Sequence, residues 1–313
     1  MEPIFLGFDT SNYTTSFAAL DGKGRLIFDL REILPVPLGE VGLRQRDVVF
    51  LHLRHLNRMV KEGLSQINRK DIQGIGVAIK PRPLEESYMP SFLAGEVVAH
   101  TLSLALKLPL TKTSHQEGHL AAALWSLDQD FDKFLAVHFS GGTSEVVKVE
   151  KNQAGYNIEL LGKTLDISAG QLVDRIGVLL GLPFPAGKSL EELAQRAKGE
   201  LTVPTTFIKG NWHFSGAETY LKRKLQEVPP YEIARAVEDV IARTLFKIIE
   251  YYHQENLPVV LMGGVMANNY IKKSLEERLR KRKVNVELFF AKAFYTTDNA
   301  VGVAEISRIR RIF

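Results

Sequence analysis

Two stretches decide how this chain folds: IFLGFDTSNYTTSFAAL (residues 4–20) and FLAVHFSGGTSEVVKVE (residues 134–150). Each is an apolar run, a short polar turn, a Thr-Ser pair and a second apolar run. Short apolar runs bounded by turn residues read as buried strands. Each stretch is therefore expected to be a β-hairpin, with Thr15-Ser16 of the first matched to Thr143-Ser144 of the second. The copies lie far too far apart for a solenoid repeat, and a duplicated α/β domain accounts for them better.

The flanking sequence extends both copies. After the first hairpin come a third strand in RLIFDLREIL (25–34), an amphipathic helix at 48–67, a strand in IQGIGVAI (72–79), a Pro-rich break (80–90) and a helix at 91–108. After the second come a strand in YNIELLGKTLDI (156–167) and helices at 169–182, 232–254 and 270–282. Strands in PVVLMGGVMANN (258–269) and VNVELFFA (284–291) and a final helix in TTDNAVGVAEISRIRR (296–311) complete the pattern. Hairpins of this kind, facing each other, can clasp phosphates with backbone N–H groups and hydroxyls. The expected fold class is α/β, a duplicated actin/Hsp70-like (ASKHA, RNase H-like) two-lobed fold. Residues 1–130 would form one lobe, completed by the C-terminal helix at about 295–313, and 131–294 the other.

Composition narrows the chemistry. The chain has no cysteine, which removes disulfides, thiolate nucleophiles and Cys-zinc sites together. No apolar run reaches the roughly 18–20 residues that span a bilayer. MEPIFLGFDTS lacks a basic n-region and a small-residue cleavage site, so no signal peptide and a cytoplasmic location are expected. A net charge of +4 permits an anionic partner such as a nucleotide or RNA without demanding one. The basic runs at 272–283 and 307–313 fit solvated helix faces or an RNA-facing patch.

Glycine turns recur in SGGTS (140–144), SAG (168–170), PAGKS (185–189) and MGGVMANN (262–269). Paired glycines let a backbone approach a ligand closely, and a helix N-terminus after the turn attracts anions. None has P-loop or GxGxxG spacing. Asp9, ending the first strand, could position a metal ion against a phosphate or could serve an Asx turn. Asp174 could accept hydrogen bonds from a ribose or could be solvated.

SHQEGHLAAALW (114–125) holds two histidines at i and i+4. On a helix that spacing puts both imidazoles on one face, within reach of one metal ion. Unrelated surface histidines fit the spacing equally. Glu117 comes two residues after His115, so it is not placed as the general base of H-E-x-x-H, and protease chemistry is poorly supported. Gly118 disfavours a helix interior, so the pair is expected to straddle a helix start. Asp298 in TTDNA is the best third ligand by sequence. Two imidazoles and a carboxylate suit Fe, Zn or Mn with open positions.

Taken in order along nearly the whole chain, these segments resemble the TsaD/Gcp family, once called O-sialoglycoprotein endopeptidases. LGFDTSNYTTSFA is similar to the family's G-I-E-T-S-C-D-E-T opening, and HQEGHLAA to its H-x-E-G-H motif. FSGGTSEVV, the stretch from LGKTLDISAGQLVD to LGLPFPAG, HFSGAET, LMGGVMANN and YTTDNA resemble its further motifs. The resemblance implies transfer of a threonylcarbamoyl group from threonylcarbamoyl-adenylate to N6 of the adenosine beside the anticodon in tRNA. It assigns a divalent metal, Fe2+ or Zn2+, to His115, His119 and Asp298. It assigns ATP or an acyl-adenylate, with or without Mg2+, to Ser140, Gly141, Gly142, Thr143, Gly170, Asp174, Gly187, Ser215, Gly263, Gly264 and Asn268. Asp9 and Ser11 fall in the catalytic opening segment. The implied partners are tRNA and the protein subunits of a threonylcarbamoylation complex, with no membrane.

The chain also departs from the pattern. Asn12-Tyr13-Thr14 replaces the family's Cys-Asp-Glu, PRPLEESYMPSFLAG its G-P-G-L turn, Thr143 a His and Glu218 a Lys. These changes describe a divergent member, with a drifted paralogue that binds ATP and metal as a partner subunit as the alternative.

Overall fold

The computed structural model describes residues 2–11, 13–35, 43–152, 155–253 and 256–312. Asn12, one of the departures above, lies outside them. The chain divides into two compact units. One holds Met1–Phe131, Lys151–Asn157 and Phe294–Phe313, the other Asp132–Glu150 and Ile158–Ala293.

The first sheet is built from β1 (Ile4–Thr10), β2 (Thr14–Asp21), β3 (Leu26–Ile33), β4 (Ile72–Lys80) and β5 (Leu110–Ser114), in the order β3-β2-β1-β4-β5. The later strands are β6 (Lys133–Phe139), β7 (Ser144–Asn152), β8 (Gly155–Lys163), a small ladder of β9 (Thr206–Ile208) and β10 (Asn211–His213), then β11 (Val259–Met262) and β12 (Leu288–Phe290). The second large sheet runs β12-β11-β6-β7-β8. β1 pairs antiparallel with β2 and parallel with β4; β6 pairs antiparallel with β7 and parallel with β11. One topology is thus used twice.

The hairpin register corrects the sequence match by one residue. The last pairs are Thr10–Thr15 and Phe139–Ser144. Ser11 therefore corresponds to Ser140, and Thr14-Thr15 to Thr143-Ser144. Aligning the two Thr-Ser pairs shifted the register, and a one-residue shift exchanges the faces of a strand.

The helices are α1 (Gln45–Ser65), α2 (Phe92–Leu106), α3 (His115–Leu127), α4 (Ala169–Leu179), α5 (Gly187–Ala194), α6 (Ser215–Lys224), α7 (Pro230–Tyr252), α8 (Asn269–Lys281) and α9 (Val301–Ile312). Two boundaries matter for function. Both histidines lie within α3, so the pair does not straddle its start: the helix begins at His115. α9 begins at Val301, whose N–H donates to the Asn299 side chain at 3.0 Å, so Asp298 sits in the preceding loop.

In the first unit, Phe8 and Phe17 stack at 4.4 Å in a core of side chains from β1, β2, β4, α1 and α2. Burying each such side chain contributes roughly 1.5–3 kcal/mol. α3 packs on α9 so closely that a Cβ on Gly302 would come within 1.9 Å of the Gly118 carbonyl oxygen. Only glycine allows that backbone contact, and it fixes α3 against the helix that follows Asp298. A larger core in the second unit gathers α4, α6, α7 and α8 against β6 and β11. Among the described residues no helix is long and apolar enough to cross a membrane.

Candidate metal centre and nucleotide pocket

The metal candidates are placed by the cap of α3. Ser114 is the N-cap: its hydroxyl accepts from the Glu117 N–H at 3.3 Å, and Glu117 Oε2 accepts from the Ser114 N–H at 2.7 Å. This reciprocal capping box satisfies two otherwise orphaned donors. Thr113 donates to the same carboxylate oxygen at 3.0 Å. Glu117, which no zincin mechanism could use, thus fixes where the helix starts. His115 becomes its first residue and His119 lies one turn on.

The two Nε2 atoms stand 3.0 Å apart, and Asp298 Oδ1 lies 3.4 Å from each. All three residues offer ligand atoms within 4.8 Å of one another. A metal ion bonded at about 2.1 Å separates neighbouring ligand atoms by roughly 3.0 Å in octahedral and 3.4 Å in tetrahedral geometry, so the triangle matches. The proton count points the same way. Asp9 Oδ2 lies 2.8 Å from His115 Nδ1, and a carboxylate can only accept, so Nδ1 carries the proton. His115 Nε2 faces His119 Nε2 at 3.0 Å, and two ring nitrogens that close need a proton or a cation between them.

Burial would lower the His115 pKa, but Asp9, then Asp298, more than offset it and hold it well above the usual imidazole range. Burial would raise the Asp298 pKa, but hydrogen bonds from His115 and His119 hold it well below the usual carboxylate range. Asp298 has further anchors. Ser11 Oγ donates to its Oδ2 at 2.7 Å. Arg31 of β3 grips the loop before it, donating to the Phe294 carbonyl at 2.7 Å and to Thr297 Oγ1 at 3.0 Å, with its guanidinium 4.2 Å from the Phe294 ring centre.

The second unit contains a cavity of about 580 Å³. Of the residues assigned to nucleotide contact, Gly141, Gly170, Asp174, Gly187, Gly264 and Asn268 line it. Ser140, Gly142, Thr143, Ser215 and Gly263 are not in its wall. Ser140 closes its own turn, its hydroxyl accepting from the Thr143 N–H at 3.0 Å. Ser215 donates its hydroxyl to Asp166. Gly263, at φ +100°, lies against the Phe139 carbonyl.

Close backbone packing shapes the wall. Gly170 N–H donates to the Ser140 carbonyl at 3.1 Å, and a Cβ on Gly170 would fall 2.6 Å from the Gly141 backbone nitrogen. A Cβ on Gly141 or Gly142 would meet nothing within 4 Å, so that turn presents bare backbone. Asp174 Oδ1 accepts from the Ala186 N–H at 2.8 Å; burial pushes its pKa up against that hydrogen bond. Asn268 caps α8 and donates to Glu238 Oε1 at 2.6 Å.

Sequence reasoning missed Glu238. It lies on the buried side of α7, is paired with Arg235 at 2.7 Å, and burial pushes its pKa up to about 7. The only signal was a carboxylate inside a helical apolar stripe. It also missed Arg31, for which the sequence carries no signal.

A family model for TsaD, tRNA N6-adenosine threonylcarbamoyltransferase, matches residues 46–305. A protein of that name from Thermosipho melanesiensis is 31% identical over 96% of this chain and 93% of its own length. Among solved structures, the activator of the 2-hydroxyisocaproyl-CoA dehydratase from Clostridium difficile with bound ADPNP is similar. It aligns with a TM-score of 0.57 at 14% identity, covering 98% of this chain and 94% of that one. A ROK family glucokinase from Streptomyces griseus in complex with glucose and AMPPNP aligns at 0.54 and 11%, covering 98% and 99%. At such identities the likeness shows the fold: a duplicated α/β fold of the ASKHA type.

Proposed function

The chain belongs to the TsaD family of tRNA N6-adenosine threonylcarbamoyltransferases, and from that membership we propose that it transfers a threonylcarbamoyl group from threonylcarbamoyl-adenylate to N6 of the adenosine beside the anticodon in tRNA. The observation that carries the reading is the meeting of His115, His119 and Asp298, drawn from distant parts of the sequence, at metal-ligand spacing.

In this reading those three side chains hold one divalent cation, Fe2+ or Zn2+. Bound there, the cation would supply Lewis-acid chemistry able to polarise a carbonyl. Asp9 keeps His115 in the tautomer whose Nε2 faces the ion, and Ser11 keeps one oxygen of Asp298 turned to the imidazoles. The cavity of the second unit takes the adenylate, with Asp174 towards the ribose and the Gly141 turn towards phosphate. The exocyclic amine attacks the carbamoyl carbon, the bond from that carbon to the phosphate oxygen breaks, AMP leaves and the amine's proton passes to solvent, so no serine or cysteine nucleophile is required. The nucleotide reading is supported by the ADPNP in the similarly folded dehydratase activator. Exposed Lys273, Arg280, Lys281, Arg282 and Lys283 on and after α8 support contact with the RNA backbone. Partner subunits and a cytoplasmic setting belong to the same proposal.

The test is a reconstitution with threonylcarbamoyl-adenylate, tRNA and candidate partner subunits, read by mass spectrometry of the digested tRNA. The metal-loaded wild type is expected to form threonylcarbamoyladenosine, and His115→Ala to form none. If an established family enzyme makes the product in the same mixture and this chain makes none, the transferase reading fails.

A further inference from the structure

We propose that His52 is a positioning residue of the metal centre: its imidazole pins the Ser11 carbonyl and thereby aims the Ser11 hydroxyl at Asp298. The inference rests on reading His115, His119 and Asp298 as metal ligands.

α1 buries Val48, His52, Leu56, Met59 and Gly63, a helical stripe in which His52 is the one polar residue. It is wholly buried. An aliphatic side chain would suit packing alone, so the imidazole needs another explanation. Its ring joins three hydrogen-bonded steps. Thr15 Oγ1 lies 2.8 Å from His52 Nδ1, His52 Nε2 lies 2.8 Å from the Ser11 carbonyl oxygen, and Ser11 Oγ lies 2.7 Å from Asp298 Oδ2.

Donor and acceptor roles follow from chemistry. A carbonyl only accepts, so His52 Nε2 carries a proton. Burial pushes the His52 pKa down to about 4, so the ring is neutral and Nδ1 accepts from the Thr15 hydroxyl. Thr15 Oγ1 also lies 3.2 Å from Nδ1 of His55, whose Nε2 faces the Glu32 carboxylate at 3.2 Å. Both ring nitrogens of His52 are engaged, which fixes tautomer and ring plane.

The pinned carbonyl and the hydroxyl that reaches Asp298 belong to the same residue, so fixing one orients the other. Ser11 holds Oδ2, and Oδ1 faces the two imidazoles. His52 never reaches the ligands and acts only through Ser11.

Metal-free protein is titrated with Co2+, following affinity by calorimetry and ligand geometry by visible absorption. His115→Ala is expected to lose the site. His52→Leu should bind Co2+ about 10–100-fold more weakly, the usual range for an outer-shell partner, with an altered spectrum. His52→Gln, whose amide N–H can reach the Ser11 carbonyl, should recover to within a few-fold. His52→Leu added to Ser11→Ala should cost little more than Ser11→Ala alone, since both remove one path.

Wild-type binding in both His52 variants, or equal impairment in both, overturns the inference while His115→Ala still loses the metal. Unchanged binding in His115→Ala sinks the metal reading instead. Should His52→Leu fail to fold, ring-15N NMR of the wild type decides. His52 must stay neutral with its proton on Nε2 between pH 5.5 and 8, and its signals must shift when Zn2+ is added. A different tautomer or unshifted signals overturns it.

Discussion

The turn after β1 and the turn after β6 occupy the same place in the same strand order. In the first, Ser11 sends its hydroxyl to Asp298, a residue 287 positions away. In the second, Ser140 accepts from Thr143, only three residues on, and leaves Gly141 and Gly142 bare. One hairpin thus supports a centre made of side chains, the other a wall made of backbone. On the metal reading, the candidate ligands of the first unit are held by Asp9 and Ser11, with His52 behind Ser11 and Arg31 on the loop before Asp298. The nucleotide reading asks for shape, N–H groups and apolar surface, and the cavity of the second unit is lined by glycine turns with Val173, Val265 and Ile271. The two sites should respond differently to single substitutions.

The largest expected effect is in the first unit. His119→Ala removes one of three ligands and should weaken Co2+ or Zn2+ binding by more than about 100-fold, beyond the range of an outer-shell change. ATP affinity, carried by backbone in the other unit, should stay within about twofold. Calorimetry of metal and of ATP on the same preparation checks both. Loss of ATP binding together with the metal would break the comparison.

The same contrast explains what the sequence made legible. His115, His119 and Asp298 could be picked out as a candidate set because two histidines at i and i+4 share a helix face and a carboxylate is a common third ligand, and the structure brings the three together. The duplication was legible from the repeated hairpins, although the Thr-Ser alignment missed the register by one residue. β5 was not anticipated, because LTKTS has no apolar run; its order comes from pairing with β4. α5 was hidden behind PAGKS, which reads as a turn. The pocket was only half legible. A glycine in a turn shows in the sequence, but whether its backbone faces a cavity depends on tertiary packing, and Gly142, Thr143, Ser215 and Gly263 do not line this one. Glu238 and His52 were hidden by their surroundings, since a polar residue within an apolar helical stripe gains its role only from what the helix packs against.

The next effect belongs to the backbone wall. Gly170→Val places a branched side chain where even a Cβ falls 2.6 Å from the Gly141 nitrogen. The SGG turn must shift, at a cost of about 1–3 kcal/mol typical of overpacking. ATP affinity should drop about tenfold or more while metal affinity holds, the mirror image of His119→Ala. Unchanged ATP binding in a folded variant would show that the turn does not form the ligand wall.

The smallest effect separates the units by pH. Glu238 ionises near pH 7 in the folded protein against an ordinary value of 4.5, with burial the main cause. Between those values the folded state holds a proton that the unfolded chain has lost. The associated stability is fully present below about 4.5 and is lost as pH rises through about 7. His52 has the opposite sign. Its folded value of about 4 lies below the ordinary 6.5, so its contribution is present above 6.5 and is lost as pH falls through 4. From pH 6.5 to 8 the Glu238 slope is the larger of the two, opposed by the last part of the His52 slope as the unfolded imidazole loses its proton. Denaturant titrations should show the wild type losing about 1 kcal/mol over that window relative to Glu238→Gln, less than one pKa unit of linkage. Glu238→Gln, which cannot ionise, should show a flatter profile. Its amide sets two more donors against Arg235 and Asn268 and lowers stability at every pH, so the slope rather than the level is the readout. A slope equal to the wild type would place the titrating group elsewhere.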